Sequence, residues 1–184
     1  MIRLQRLISH RLWLPAVTLV TIAFLIPRAG RAIDRMSHVG RVAGVWGWEQ
    51  APEPVPVPEA EGRSAFRWTR ERAAIREPIR GSRIQVPLFL LRPDPASHPV
   101  TVRVKIAGAV TQELRLTRNG WHVVSFDLIQ LMGEPRWRSQ GTITLAFAVN
   151  PIFVPSASGA STDTRRLGIG LGEILWSGPL PHMP

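Results

Sequence analysis

The chain has 184 residues, no cysteine, and a formal net charge of +10 from 23 basic and 13 acidic side chains. Without thiols there is no disulfide, no thiolate metal site and no thioether-linked haem, although the compartment stays open because an oxidising space permits disulfides without requiring them. Residues 1–45 hold seven arginines against the single acid Asp34, and the remainder holds sixteen bases against twelve acids. A basic surface built for nucleic acid would place its charge on the folded domain, so nucleic acid is not an expected partner. Lys105 is the sole lysine, which reads as compositional bias before selection for arginine chemistry.

Residues 1–30 read as an N-terminal membrane anchor. Arg3, Arg6 and Arg11 precede an uncharged run of fifteen residues, Leu12 to Ile26, closed by Pro27 and Arg28. That order also fits a secretory signal, and Gly30-Arg31-Ala32 offers small residues for cleavage. As a helix the run reaches about 22 Å, short of the roughly 30 Å hydrocarbon core. Snorkelling of Arg11, Arg28 and Arg31 at the headgroups closes the gap, and the basic flanks favour retention. The expectation is one N-terminal transmembrane helix in the inner membrane, single-pass, with the C-terminal domain extracytoplasmic (periplasmic).

Residues 31–62 read as a juxtamembrane segment and a proline-rich spacer. Ile33, Met36, Val39 and Ala43 recur at helical spacing, and Trp46 and Trp48 end the stretch. This predicts either a short interfacial helix with its tryptophans at the lipid surface or a plain linker. Pro52, Pro54, Pro56 and Pro58 alternate strictly, which predicts an extended strut of roughly 25 Å that holds the following domain away from the membrane.

Residues 63–184 read as an all-β domain: a single antiparallel β-sandwich of about eight strands in jelly-roll or Greek-key order. The predicted strands are 64–69, 72–77, 82–91, 99–108, 110–117, 120–128, 141–149 and 166–177. Val100, Val102, Val104 and Ile106 alternate with Thr101, Arg103 and Lys105, and Ile143, Leu145, Phe147 and Val149 alternate with polar or small residues. Such period-two patterns place one face on a core. Arg118-Asn119-Gly120 reads as a tight hairpin turn, and a helical turn is expected near Asp127–Met132. Gly168, Gly170 and Gly172 clear one face of the last strand for a ring or a backbone. They do not form a phosphate-cradling loop, because no helix pattern follows them.

The runs SAFRWTRERAAI, GWHVVSFDL and FVPSASGASTDTRRLGIGLGEI resemble a bacterial β-sandwich (jelly-roll-like) module found with membrane-anchored or glycosyltransferase-type envelope proteins. The resemblance covers about Trp46 to Trp176 and is most specific from Phe153 and Pro155 through Asp163, Arg165, Arg166, Leu167 and Gly168. It implies sugar-related work. The chain departs from the pattern in carrying no transferase domain and no tyrosine.

No catalytic, metal or cofactor constellation emerges. The five histidines have no metal-ligand spacing, and His122 points away from Ser125 and Asp127 on a shared strand. Candidate contacts with a partner or with headgroups are Trp46, Trp48, Arg136, Trp137 and Arg138, with Trp137 alternatively folded back over the sandwich end. Asp163, Arg165 and Arg166 are candidate pins of the loop before the last strand. The expected function is a non-enzymatic structural or scaffolding subunit of a larger membrane complex, whether photosynthetic, respiratory or an envelope machine, with lipids and other subunits as partners. The alternative is a carbohydrate-binding accessory module for envelope polysaccharide, which requires exposed aromatics.

Overall fold

A computed structural model describes residues 42–180 apart from 109, 140 and 160. Nine antiparallel strands build the domain: β1 (Val42–Gln50), β2 (Ala65–Pro78), β3 (Arg83–Leu90), β4 (Val100–Ile106), β5 (Val110–Leu116), β6 (Gly120–Asp127), β7 (Thr142–Asn150), β8 (Gly170–Gly172) and β9 (Leu175–Ser177). Two short helices, α1 (Leu128–Met132) and α2 (Glu134–Ser139), separate β6 from β7. The all-β expectation holds. Among the described residues no helix is long and apolar enough to cross a membrane. The apolar run Leu12–Ile26, with Arg11, Arg28 and Arg31, lies outside the described residues.

The sheet runs in the order β5-β4-β7-β2-β8-β3-β6 and curls around β2, a strand of 14 residues. Its second half, Arg72–Pro78, pairs with β7, and its first half, Phe66–Trp68, pairs with β8. The predicted strands 64–69 and 72–77 are therefore one strand bridging the two halves. Those halves close on one aliphatic core. Val100, Val102, Val104 and Ile106 from β4 meet Leu145, Phe147 and Val149 from β7, and Ile84, Val86, Leu88 and Leu90 from β3 come from the opposite side. The period-two reading of β4 and β7 is met residue by residue, because a strand's alternate side chains must leave by opposite faces.

Several local expectations change. Residues 42–50 form an edge strand antiparallel to β2, from Val42↔Ile75 to Gln50↔Ala65, where the sequence predicted the end of a short interfacial helix or a plain linker. Val42 and Val45 suit a pleated surface, and Gly44 and Gly47 weaken a helix. Gly44 sits at φ 72° with the Arg72 carbonyl pressed against its missing Cβ, so glycine alone fits this bulge. The rest of the predicted helix lies outside the described residues.

The proline-rich segment is not a projecting strut. Ala51 N–H donates to the Ser64 carbonyl at 2.9 Å and Val55 N–H to the Arg63 carbonyl at 2.8 Å. A 3-10 turn at Pro58–Ala60 closes the fold-back. Val55 and Ala60 are buried against Leu175. Alternating prolines fix extended geometry, but the valines between them gain more by covering apolar surface than by facing water.

Arg118-Asn119-Gly120 is not a hairpin. β5 pairs with β4, and β6 pairs with β3 along its whole length, so this turn carries the chain from one end of the sheet path to the other. The tight hairpin joins β4 to β5. The predicted last strand divides into β8 and β9, both of which pair with β3. The turn expected at Asp127–Met132 is helix α1, capped by Asp127, whose carboxylate accepts from Gln130 N–H at 3.0 Å.

Candidate functional site

The outer face of the β2–β8–β3–β6 half is aromatic. Phe66, Trp68 and Phe89 are buried there, with Trp46 and Trp121 packed against them. The Phe66 ring meets Trp68 edge-on at 5.1 Å, and Phe89 lies 5.1 Å from Trp121. The alternating glycines make this packing fit. A Cβ on Gly170 would sit 2.7 Å from the Phe66 ring, and one on Gly172 would sit 3.2 Å from the Trp121 ring. The cleared face predicted for the last strand is thus filled by the chain's own rings. A row of sheet aromatics does exist, but the loop at Leu167 and the start of the proline-rich segment at Ala51 cover its middle. Two margins of the row stay accessible.

The first margin is the β1 side. Trp48 is 49% exposed, and the Arg67 guanidinium lies over its ring at 4.3 Å. Burial holds the Arg67 guanidinium below its ordinary range, against the pull of Glu77. Trp46 is half-buried, with Arg70 at 4.7 Å and Arg165 at 5.8 Å from its ring. Arg165 binds both Asp163 carboxylate oxygens, with Nη2 at 2.7 Å from Oδ2, and its Nη1 reaches Glu49 Oε1 at 2.8 Å. Glu49 Oε2 accepts from the Trp68 indole N–H at 3.1 Å. The Arg165 hydrogen bonds hold the Asp163 carboxyl below the usual carboxylate range. Trp46, Asp163 and Arg165, read separately from the sequence, therefore share one rim, whereas Trp48 pairs with Arg67, whose side chain leaves β2 on the face opposite to Phe66 and Trp68. Arg166 is exposed beside them.

The Pro135–Arg138 stretch lies elsewhere, in α2. Trp137 is 1% exposed, and its indole N–H donates to the Gly81 carbonyl at 3.3 Å. It is no surface contact: an indole this large stabilises the fold more as a plug in the core than at a loop tip. Arg136 is exposed, and the Arg138 side chain lies outside the described residues.

The second margin is a cleft of about 290 Å³ between the proline-rich segment and the 118–122 turn. The Trp121 ring forms one wall. Glu53, Arg118, Asn119 and His122 line the rest, with Pro54 and Pro56. The Trp121 indole N–H donates to the Glu53 carbonyl at 2.8 Å, which fixes the ring's orientation. His122 Nε2 lies 2.8 Å from the Arg118 carbonyl, so that imidazole braces the turn. Asp127 caps α1 and meets Arg83 at 3.4 Å, and thus serves neither His122 nor Ser125. In the sequence Trp121 stands out only as part of the predicted strand 120–128, because its companions are distant in the chain. The one local signal was Asn119-Gly120 before a tryptophan.

No family model and no curated protein matches this chain. Among solved structures it is similar to an exo-β-1,3-galactanase from Phanerochaete chrysosporium determined with galactose, at 12% identity and TM-score 0.36 over 74% of this chain and 27% of that one. It is similar to a family 61 carbohydrate-binding module in complex with β-1,4-galactotriose, at 13% identity and TM-score 0.35 over 73% and 85% of the two chains. A third is a family 115 4-O-methyl-α-glucuronidase with specificity for decorated arabinogalactans, at 11% identity and TM-score 0.38 over 76% of this chain and 18% of the other. The chain thus spans a small part of the two enzymes. At these values the likeness bears on neither ligand nor activity.

Proposed function

We propose that this β-sandwich, of jelly-roll type, is a non-catalytic carbohydrate-binding domain whose ligand sits in the Trp121 cleft. The observation that carries the reading is the lining of that concavity. An aromatic ring held by its own hydrogen bond stands beside a carboxylate, a guanidinium and an amide. A sugar presents an apolar C–H face and a girdle of hydroxyls. The ring takes the first, and the charged and amide groups take the second. Because Trp121 is already packed over Gly172, little ordering entropy is lost on binding. The test is a glycan array probed with the full chain, followed by calorimetric titration of the retained sugar. Trp121→Ala is expected to weaken binding at least roughly tenfold, the loss of a hot-spot ring. A chain that retains no glycan, or binds equally well without the ring, overturns the reading.

A second reading rests on Trp48. It is an exposed tryptophan under a guanidinium on an edge strand that, among the described residues, pairs with β2 alone. Trp and Arg dominate protein interfaces, and an edge strand offers free backbone donors and acceptors. This reading makes the domain the extracytoplasmic scaffold of a membrane complex, tethered in the inner membrane through Leu12–Ile26. Mild detergent extraction followed by native mass measurement tests it. A defined stoichiometric complex that Trp48→Ala dissolves supports it, and a monomer that still binds glycan favours the first.

A further inference from the structure

A second cleft, of about 320 Å³, opens on the other side of the 118–120 turn and includes Arg92, Asp94, His98, Pro151, Ile152 and Phe153 in its lining. Arg92 follows the end of β3, and the residue is 8% exposed. Its backbone is fixed twice by Asn119: Arg92 N–H donates to Asn119 Oδ1 and Asn119 Nδ2 donates to the Arg92 carbonyl, both at 2.8 Å. The side chain is fixed by carbonyls. Nη2 donates to Gly168 at 2.6 Å, to Leu167 at 3.0 Å and to Pro151 at 3.5 Å, and Phe153 lies 4.8 Å below the guanidinium.

Nε and Nη1 are buried without any acceptor. Among the described residues no carboxylate pairs with this guanidinium. Asp94, which shares the cleft, is turned to its own loop, where it accepts from Ser97 N–H at 3.2 Å and lies 3.9 Å from His98 Nδ1. A buried cation without a counter-charge is costly, and buried donors are nearly always satisfied. Burial alone pushes the Arg92 guanidinium down to about 10. A clamp for three carbonyls needs only the Nη2 group. What it leaves over, one Nε–H and two Nη1–H bonds on opposite edges of the guanidinium, is donor capacity for an anion at one edge or the other.

We propose that the Arg92 cleft is an anion-recognition subsite that takes the carboxylate of an acidic sugar. The sugar rests on the carbohydrate reading above, and the carboxylate rests on Arg92 itself. Pro151, Ile152 and Phe153 supply apolar lining for the ring that bears the charge. Nε and Nη1 are buried, so a carboxylate reaches either of them only by displacing part of the cleft lining. The Asp94 carboxylate opposes the ligand's charge, which gives the site a signature that a purely structural arginine lacks.

The test is calorimetric titration of the full chain with a glucuronic acid trisaccharide, a neutral glucose trisaccharide and sodium acetate. The acidic trisaccharide is expected to bind, and the neutral one to bind at least roughly tenfold more weakly at this cleft. Arg92→Gln should abolish the preference. Asp94→Asn, a change at an exposed residue, should tighten the acidic sugar roughly threefold by removing a like charge. Saturable acetate binding that Arg92→Gln removes, without sugar binding, keeps the carboxylate site and rejects the sugar. Equal binding of acidic and neutral sugars by the Trp121→Ala chain, or an Asp94→Asn variant that binds no tighter, overturns the proposal. Trp121→Ala distinguishes the two clefts, because it weakens neutral-sugar binding at least roughly tenfold and leaves the Arg92 response in place.

Discussion

The β2–β8–β3–β6 half of the sheet has two faces, and they solve the same burial problem differently. The inner face is aliphatic: Ile84, Val86, Leu88 and Leu90 project from β3 into a core shared with β4 and β7. The outer face is aromatic: Phe66, Trp68, Phe89 and Trp121 lie over glycine positions of β8 and under loops from distant parts of the chain. The inner face needs only strand alternation. The outer face needs glycines, a folded-back proline segment and the Asp163–Arg165–Glu49 ion network. The Trp46–Arg165 rim and the Trp121 cleft lie along this second, composite face.

Breaking the inner face should cost most. Leu88 is fully buried, and Leu88→Ala is expected to lower stability by about 3 kcal/mol in urea denaturation, through lost transfer energy and a cavity. Breaking the outer face should cost less and show in the rings. Gly170→Val drives its side chain into Phe66 and Phe89, with an expected loss of about 2 kcal/mol and an altered near-ultraviolet circular dichroism signal. An unchanged signal would mean that the rings are not packed on β8. The seam between the faces is Thr69, fully buried, whose Oγ1 accepts from Ile169 N–H at 2.9 Å. Thr69→Val leaves that N–H buried without a partner, an expected cost of about 1–2 kcal/mol, with faster hydrogen exchange at the Ile169 amide.

The smallest effect is electrostatic. Asp163 is held low by Arg165, and Asp127 by the Gln130 amide and then Arg83. A carboxyl depressed in the folded state contributes stability above its unfolded value and loses it as pH falls through the folded one. The melting temperature should therefore fall below the ordinary carboxylate range. Asp163→Asn should flatten that fall while leaving the inner core intact, and an unaltered acid profile would remove Asp163 from the rim's support.

By itself the sequence determined the inner face. Side chains of a strand alternate whatever the strand's partner, so Val100 to Ile106 and Ile143 to Val149 declared their buried sides locally. It also marked Gly170 and Gly172 as a place of close approach, since absent Cβ atoms are visible in any sequence. The tertiary structure alone decided which strands pair, and three local readings gave way to it. Residues 42–48 were the end of a stretch, 33–48, read as a short helix or a plain linker, yet the backbone groups of β2 were free to take 42–50 as a strand. Arg118-Asn119-Gly120 had hairpin chemistry, yet β6 found its hydrogen bonds on β3. The alternating prolines specified an extended segment without specifying what it would lie against. Trp137 was open between a surface contact and a place folded back over the sandwich end, and Arg92 carried no mark of its carbonyl partners, which come from about sixty to seventy-five residues along the chain. The outer face and both clefts belong to this second class. Their residues meet through hydrogen bonds and ring contacts between segments with no shared period, and no local pattern records such meetings.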